Sequence, residues 1–135
     1  MGRPSAGYSG TPLAKKLGVK AGSAIALIDA PAGFEATLGE LPDGAFARRG
    51  NRGRRDITIW FTTSAAELRR RIEPIARAVG EGTLWVAWPK GSSAIATDLR
   101  ESAVQRAGLD AGLVDSKVCA IDDDWSGLRF TRRRK

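Results

Sequence analysis

The feature that most limits the fold of this chain is an uninterrupted apolar run followed at once by a polar loop. Residues Thr83–Trp88 read TLWVAW, and residues Pro89–Ser93 read PKGSS. A run that is apolar on both faces is typical of a strand covered by helices on both sides, as in a parallel sheet. Open α/β sheets bind their ligands beyond the carboxyl ends of the strands. The run therefore predicts a buried central strand, and the loop after it is a candidate binding site.

Strands and helices are expected to alternate along the rest of the chain. Strands are predicted over the apolar segments Ala24–Asp29, Asp56–Phe61, Leu113–Ile121 and Gly127–Thr131. Helices are predicted over Glu35–Gly39, from Ser64 to Gly80, and over Asp98–Ala107. This order favours an α/β fold with a three-layer, Rossmann-like, mostly parallel sheet that ends in a C-terminal antiparallel hairpin. Such a hairpin is typical of the methyltransferase-like variant, here with a truncated first half.

The 135 residues are expected to form one domain, with flexible ends over residues 1–10 and 132–135. Ser64 and Glu67 have the spacing of a capping box, and so do Asp98 and Glu101. Residues 45–47 predict a minor strand, which an arginine-rich loop, residues 48–55, follows directly. Because parallel neighbours normally need a crossover of about a dozen residues, this strand is either an edge strand or paired antiparallel.

The formal net charge is +7, but two short segments hold most of the excess. Their basic residues are Arg48, Arg49, Arg52, Arg54 and Arg55 in the loop, and Arg132, Arg133, Arg134 and Lys135 in the tail. The chain has 22 basic and 15 acidic residues, so 13 basic residues remain outside these two segments. The rest of the chain is therefore near neutral. The two segments are candidate sites for a polyanion such as nucleic acid.

Composition excludes several classes of chemistry. The chain has no histidine, which rules out serine–histidine and cysteine–histidine catalysis and histidine-ligated metals. The single cysteine, Cys119, lies in an apolar segment and is expected to fill the core. Asp122–Gly127 is similar to the start of a calcium loop, but Arg133 stands where that loop requires glutamate. We expect no catalytic residue, metal or cofactor, and we predict a cytoplasmic protein without membrane partners, because no signal peptide or long apolar segment is found.

The preferred candidate site combines a helix start with the loop after the central strand. Its residues are Thr62, Thr63, Ser64, Lys90, Ser92 and Ser93, with Lys15 as a more distant contributor. Hydroxyl groups and free N–H groups at a helix start bind anions, and the lysines add positive charge. A nucleotide or a phosphorylated metabolite is the ligand class that these groups favour.

A nucleoside cofactor such as a dinucleotide or S-adenosylmethionine has different requirements. It needs a glycine-rich turn after the first strand and an acidic residue after the second. The first turn, Asp29–Phe34, contains one useful glycine and a proline, and Arg48 and Arg49 stand where the acidic residue is needed. The sequence therefore favours a fold that is retained while the cofactor is lost.

Four ordered segments resemble the signature segments of a small bacterial family of unknown function. They read YSGTPLAKKLG, LWVAWPKGSS, ATDLRE and GLVDSKVCAIDDDWSGLRF, and they span nearly the whole chain. The arginine-rich loop does not share in the likeness. The resemblance implies a compact cytoplasmic α/β domain, and it assigns no activity and no catalytic residue.

Three functional hypotheses follow from the sequence. The preferred one is a non-catalytic binding or regulatory domain for a small anionic ligand or a protein partner. The first alternative is a degenerate S-adenosylmethionine-dependent methyltransferase-like enzyme. The second is a nucleic-acid-binding accessory protein that uses the arginine-rich loop and the tail.

Overall fold

The computed structural model describes residues 12–133. Predictions on residues 1–11 and on Arg134 and Lys135 lie outside the described residues. The elements are, in chain order, α1 (Leu13–Lys16), β1 (Ala24–Ile28), α2 (Phe34–Leu38), β2 (Phe46–Arg49), β3 (Ile57–Phe61), α3 (Ala65–Val79), β4 (Thr83–Pro89), α4 (Glu101–Asp110), β5 (Leu113–Ala120) and β6 (Trp125–Arg132). None of the helices described is long and apolar enough to cross a membrane.

The six strands form one sheet in the order β2-β1-β3-β4-β6-β5. Strands β1 to β4 are parallel, and β6 runs antiparallel to both β4 and β5. One buried cluster joins α3 and α4 to one face of the sheet, and a second joins α1 and α2 to the other. The predicted three-layer α/β sheet with a C-terminal antiparallel hairpin is therefore confirmed. The TLWVAW run is the interior strand β4, between β3 and β6.

Strand β2 is the edge strand at one side of the sheet, and it pairs parallel with β1. The antiparallel alternative is therefore wrong. The connection from β2 to β3 needs only residues 50–56, because it runs along a short length of β1. The Gly50 N–H donates to the Leu27 carbonyl at 2.8 Å, and the Asp56 N–H donates to the Ala24 carbonyl at 2.8 Å. Three residues of strand cover about 10 Å, which a loop of this length crosses without a helix.

The start of α3 is capped by two side chains. Ser64 Oγ accepts a hydrogen bond from the Glu67 N–H at 3.2 Å, which is one half of the predicted capping box. The other half is not formed, because the Glu67 carboxylate accepts from the Thr62 hydroxyl and from Arg71. The carboxylate of Asp98 accepts from the Ala65 N–H at 2.9 Å. Asp98 was predicted to cap α4, and that prediction is wrong, because α4 follows Arg100, whose side chain makes no capping bond. Asp98 caps the neighbouring helix instead.

Helix α4 rests on β6 at Gly108. A Cβ atom at this position would lie 2.1 Å from Cε1 of Phe130, a side chain that is completely buried. Only a glycine leaves room for so close an approach of helix and strand. Gly108 therefore sets the position of α4, and α4 in turn forms one wall of the cleft described below.

Candidate functional site

The carboxyl end of β1 is closed by the side chain of Arg49, which ends β2. Its guanidinium donates to both carboxylate oxygens of Glu35 on α2, at 2.8 and 2.9 Å. It also donates to the carbonyl oxygens of Ala30 and Pro31, in the turn after β1, at 2.8 and 2.9 Å. These bonds use most of the N–H groups of the guanidinium. We call this arrangement of Arg49, Glu35, Ala30 and Pro31 the Arg49 clamp.

The clamp is electrostatic and in contact with solvent. The hydrogen bond from Arg49 lowers the pKa of Glu35, and Glu35 in turn raises the pKa of Arg49. The two side chains are 50% and 43% exposed. Ion pairs with this exposure contribute little to stability.

A second group of charged residues lies on the other side of the carboxyl end of β1. Arg71, on α3, donates to Asp29 at 2.6 Å and to Glu67 at 2.8 Å. Its guanidinium lies 5.7 Å from the centre of the Trp60 ring, and Glu67 also accepts a bond from the Thr62 hydroxyl at 2.8 Å. Asp29 has a φ of 57°, in the left-handed region. We call these five residues the Arg71 network.

The residues at the end of β1 do not fit a nucleoside cofactor. In Rossmann-type sites the turn after the first strand holds the phosphate or its equivalent, and an acidic residue after the second strand holds the ribose. Here Arg49 takes the place of that acidic residue, and its guanidinium binds the turn itself. A ribose at this position would have to displace the clamp.

The carboxyl end of β4 opens instead into a cleft of about 600 Å³. We call it the β4 cleft. Its lining comprises Trp88, Pro89, Lys90, Gly91, Ser93, Ala94, Ile95, Ala96, Thr97, Leu99, Arg100 and Glu101. The charged groups are two cations and one carboxylate, and the first turn of α4 forms part of the wall. Because Arg100 does not cap α4, the first N–H groups of that helix are left to solvent or a ligand.

The loop that carries Lys90 is held by the turn between β5 and β6. The Lys90 N–H donates to the Asp124 carbonyl at 2.8 Å, and Ser93 Oγ donates to the Asp124 carboxylate at 2.9 Å. That turn is itself fixed by the Asp122 carboxylate, which accepts from the N–H groups of Asp124 and Trp125. This segment is the turn of the C-terminal antiparallel hairpin, between β5 and β6. In the part of the chain described, no three histidine, cysteine, aspartate or glutamate residues form a metal-binding group.

The structure separates the two halves of the predicted ligand site. Lys90 and Ser93 line the β4 cleft, whereas Thr62, Thr63 and Ser64 do not. The Thr62 hydroxyl is buried on Glu67, and Ser64 caps α3. The remaining link is indirect, because the Thr97 hydroxyl of the cleft wall donates to the Thr63 carbonyl at 2.6 Å.

The other two residues of the predicted site also lie apart. Ser92 is exposed outside the cleft lining. Lys15 lines a separate groove of about 660 Å³ between α1, α2 and the segment after α2. Ligand binding by any of these residues stays a prediction.

Side chains of the arginine-rich loop form hydrogen bonds within the loop. Arg48 Nη2 donates to the carbonyl oxygens of Arg52 and Arg54, in the latter case at 2.8 Å. Arg54 forms an ion pair with Asp56 at 2.9 Å, and Arg55 donates to Asn51 and Gly53. Several guanidinium groups of the loop therefore already have partners within it.

The described part of the basic tail caps two helices. Arg132 donates to the carbonyl oxygens of Gly80 and Ala76 at 3.4 Å each, at the end of α3. Arg133 donates to the Leu109 carbonyl at 3.3 Å, near the end of α4. Cations at helix carboxyl ends are favoured by the helix dipole. These bonds give the two residues a structural role, and a polyanion partner for the loop and tail stays a prediction.

Sequence reasoning missed the charged residues around β1 as a group. Asp29, Glu35 and Arg71 received no role, and Glu67 was assigned only to helix capping. The pairs that unite them, Arg71 with Asp29 and Arg49 with Glu35, are separated by 42 and 14 residues. The sole usable signal was the unexpected arginine at the end of β2.

No family model and no curated protein matches the sequence. Solved structures do match the fold. A SAM-dependent methyltransferase from Aquifex aeolicus has a TM-score of 0.59 at 14% identity, over 87% of this chain and 86% of that chain. Magnesium protoporphyrin IX methyltransferase from Synechocystis PCC 6803 with bound SAH has a TM-score of 0.55 at 11% identity, over 89% and 78%. A protein of the NADB-Rossmann superfamily from Streptococcus agalactiae has a TM-score of 0.61 at 7% identity, over 93% and 69%.

Identities this low establish the fold alone. The Rossmann-like, methyltransferase-like architecture predicted from the order of elements is confirmed. The shared fold does not choose among the three functional hypotheses. The resemblance to a small bacterial family stays a prediction, because no family model bears on it. The chain therefore has the fold of the SAM-dependent methyltransferases.

Proposed function

We propose that this protein is a degenerate methyltransferase-like domain that binds a small anionic ligand in the β4 cleft. It retains the sheet of the methyltransferases, while its own side chains fill the usual nucleoside position at the end of β1. The ligand class that suits the cleft is a phosphorylated metabolite or a nucleotide, bound through its phosphate. Binding there serves recognition or regulation and involves no methyl transfer.

The observation that carries the proposal is the Arg49 clamp. Arg49 stands where a ribose-binding carboxylate is needed, and its guanidinium is bonded to two carbonyl oxygens of the turn and to Glu35. A cofactor that entered this position would break these bonds and would meet a cation in place of an acceptor. The residues therefore argue against a working cofactor site despite the fold.

Three properties of the β4 cleft support an anionic ligand. Lys90 and Arg100 are cations on its lining, and the described residues provide neither with an ion pair. The uncapped start of α4 adds backbone N–H groups on the same wall. Ala94, Ile95 and Ala96 supply accessible apolar surface for the remainder of a metabolite. A volume of about 600 Å³ is within the range of small-molecule sites.

The proposal is tested by thermal unfolding with a panel of inorganic phosphate, AMP, ATP and sugar phosphates. A ligand present at about 100 times its Kd adds about 2.7 kcal/mol of stability. We expect at least one of these anions to raise the Tm, and Lys90→Ala and Arg100→Ala to abolish the rise. Lys20→Ala is the matched control, since Lys20 is exposed at the amino ends of the strands. An anion effect that survives both cleft substitutions would refute the assignment of the site.

A SAM-dependent methyltransferase is the second candidate, because solved structures with this fold include such enzymes. Thermal unfolding and calorimetry with S-adenosylmethionine and S-adenosylhomocysteine separate the two candidates. We expect neither compound to stabilise the protein. Stabilisation by either one that is lost on substitution of Asp29 would establish a cofactor site at β1 and overturn the degenerate assignment.

A further inference from the structure

Within residues 12–133, the outer edge of β2 pairs with no other strand. In the doubly wound order 3-2-1-4-5-6 a further strand lies beyond the second strand, but the described sheet ends at β2. The N–H groups of Phe46 and Gly50 donate inward, to the Ser23 and Leu27 carbonyls of the β1 side. Because inward and outward groups alternate along a parallel strand, the N–H and C=O groups of Ala47 and Arg49 face away from β1.

The two edges of the sheet differ in how they are protected. At the opposite edge, β5 has an irregular register between Asp115 and Lys117, a bulge of the kind that blocks further pairing. The register of β2 on β1 is regular over all four pairs. Each edge carries one exposed large apolar residue among the described residues, Phe46 on β2 (45% exposed) and Val118 on β5 (48%), so the regular register is what distinguishes β2. The edge at β2 is therefore the one suited to receive another strand.

The surroundings of β2 carry positive charge that is only partly balanced. Arg48 and Arg55 donate their hydrogen bonds to neutral oxygens, so their charges are not compensated. Burial and the nearby charge of Arg48 lower the pKa of Arg55, as expected for cations held close together. Arg52 is exposed in the same loop. Carboxylates near this edge would relieve the repulsion.

This charge argues against a second copy of the chain as the added strand. Antiparallel pairing of two β2 strands would bring two arginine-rich loops together, and like charges disfavour such an edge-to-edge contact. Exposed main-chain donors and acceptors beside Phe46 favour a peptide over a nucleic acid, because strand addition uses the backbone of both partners.

We propose that the outer edge of β2 binds an extended acidic peptide segment of a partner protein by strand addition. Ala47 and Arg49 supply the main-chain hydrogen bonds. Phe46 and Arg48 share one face of β2, where Phe46 contacts an apolar side chain of the peptide and Arg48 and Arg52 attract its carboxylates. This site is independent of the β4 cleft.

The test uses the full chain and a short fluorescent peptide of alternating glutamate and valine. A peptide with glutamine in place of glutamate tests the charge, and a single-stranded oligodeoxythymidine tests the nucleic-acid alternative. We expect the glutamate peptide to bind most tightly of the three. Lys90→Ala should leave its affinity unchanged, so failure of this proposal and failure of the cleft assignment are distinguishable.

A matched pair of variants at Ala47 separates strand addition from simple charge attraction. Ala47→Pro removes an outward N–H group while the inward bonds to β1 remain, and we expect it to weaken peptide binding about tenfold. Ala47→Ser keeps the N–H group and should bind as the wild type does. Hydrogen exchange followed by NMR provides a readout that does not depend on whether the proline variant folds, and we expect the Ala47 and Arg49 amides to become protected on binding.

Three results would each overturn the proposal. The first is binding without protection of the Ala47 and Arg49 amides. The second is tighter binding of the oligonucleotide than of the peptide, which would assign the surface to nucleic acid. The third is no binding of the glutamate peptide at millimolar concentration.

Discussion

The carboxyl ends of β1 and β4 lie on the same side of one sheet, yet the first is closed and the second is open. At β1 the side chains are held by exposed and partly exposed ion pairs of the Arg49 clamp and the Arg71 network. At β4 the walls are held apart by buried packing of α4 and by backbone bonds between two loops. Exposed ion pairs contribute little to stability and buried packing contributes much. A chain with this fold can therefore lose its usual ligand position by a few surface substitutions while the fold persists.

The largest expected effect comes from the packing that positions the wall of the β4 cleft. Gly108→Ala should destabilise the protein by about 2 kcal/mol, because the new methyl group overlaps the buried ring of Phe130. The overlap outweighs the gain of up to about 1 kcal/mol that alanine brings to a helix. Chemical denaturation measures the change.

Gly91→Ala is the matched control for this substitution. Gly91 also lines the cleft, but no atom lies within 4 Å of a Cβ at that position. Its stability should stay within about 0.5 kcal/mol of the wild type. Equal stability of the two variants would show that α4 can shift to accommodate the methyl group. The packing of α4 at β4 would then be no firmer than the ion pairs at β1.

The next largest effect concerns the bond that links the cleft wall to α3. Asp98→Ala removes the acceptor of the Ala65 N–H and should cost about 1 kcal/mol, as the loss of a helix cap does. Asp98→Asn keeps an acceptor and should recover most of that stability. Urea denaturation of both variants measures the difference. If alanine and asparagine behaved alike, Asp98 would not act as a cap.

The sequence was sufficient for the architecture because the central strands and α3 are encoded by local patterns. The TLWVAW run marked β4 as an interior strand, and the spacing of Leu68, Ile72 and Ile75 marked the buried face of α3. The bounds were less accurate: α4 begins and ends three residues later than predicted, and β2 extends to Arg49, so Arg48 and Arg49 lie in a strand and not in the predicted loop. The pattern of apolar residues within a single segment indicates which of its faces are buried. This prediction does not require knowing which segments pack against it.

The candidate site was harder to predict because its geometry depends on pairs distant in sequence. Ser64 was recognised as a helix start, but the carboxylate that completes the cap comes from Asp98, 33 residues later. The Thr62 hydroxyl was expected to face a ligand, and it faces Glu67 instead. A polar residue at a strand end predicts a hydrogen bond, but the sequence does not show whether its partner is a ligand or the protein itself.

A smaller effect is expected from the Arg71 network at the closed end. Arg71→Met keeps an unbranched side chain at this position and removes the charge that pairs with Asp29 and Glu67 and lies over the Trp60 ring. Loss of about 0.5–1 kcal/mol is expected, as for a partly exposed ion pair. Arg70→Met, at an exposed position next to it, should be neutral in the same denaturation experiment. If Arg71→Met lost as much stability as Gly108→Ala, the ion pairs at the carboxyl end of β1 would contribute as much as the packing at β4.

The smallest expected effect is the dependence of the Arg49 clamp on pH. Arg49 lowers the pKa of Glu35 in the folded state, so the stability that the pair contributes is present above the ordinary glutamate pKa of about 4.3 and is lost as the pH falls through the lower folded value. Glu35→Gln removes this contribution at neutral pH. We therefore expect a slightly lower Tm for this variant near pH 6, and a difference from the wild type that shrinks as the pH falls below the ordinary glutamate pKa. Glu40→Gln, at an exposed position in the next loop, is the control and should show no such convergence. A difference that stayed constant with pH would mean that the Glu35 carboxylate is not paired with Arg49. The Arg49 clamp would then lack its ion pair.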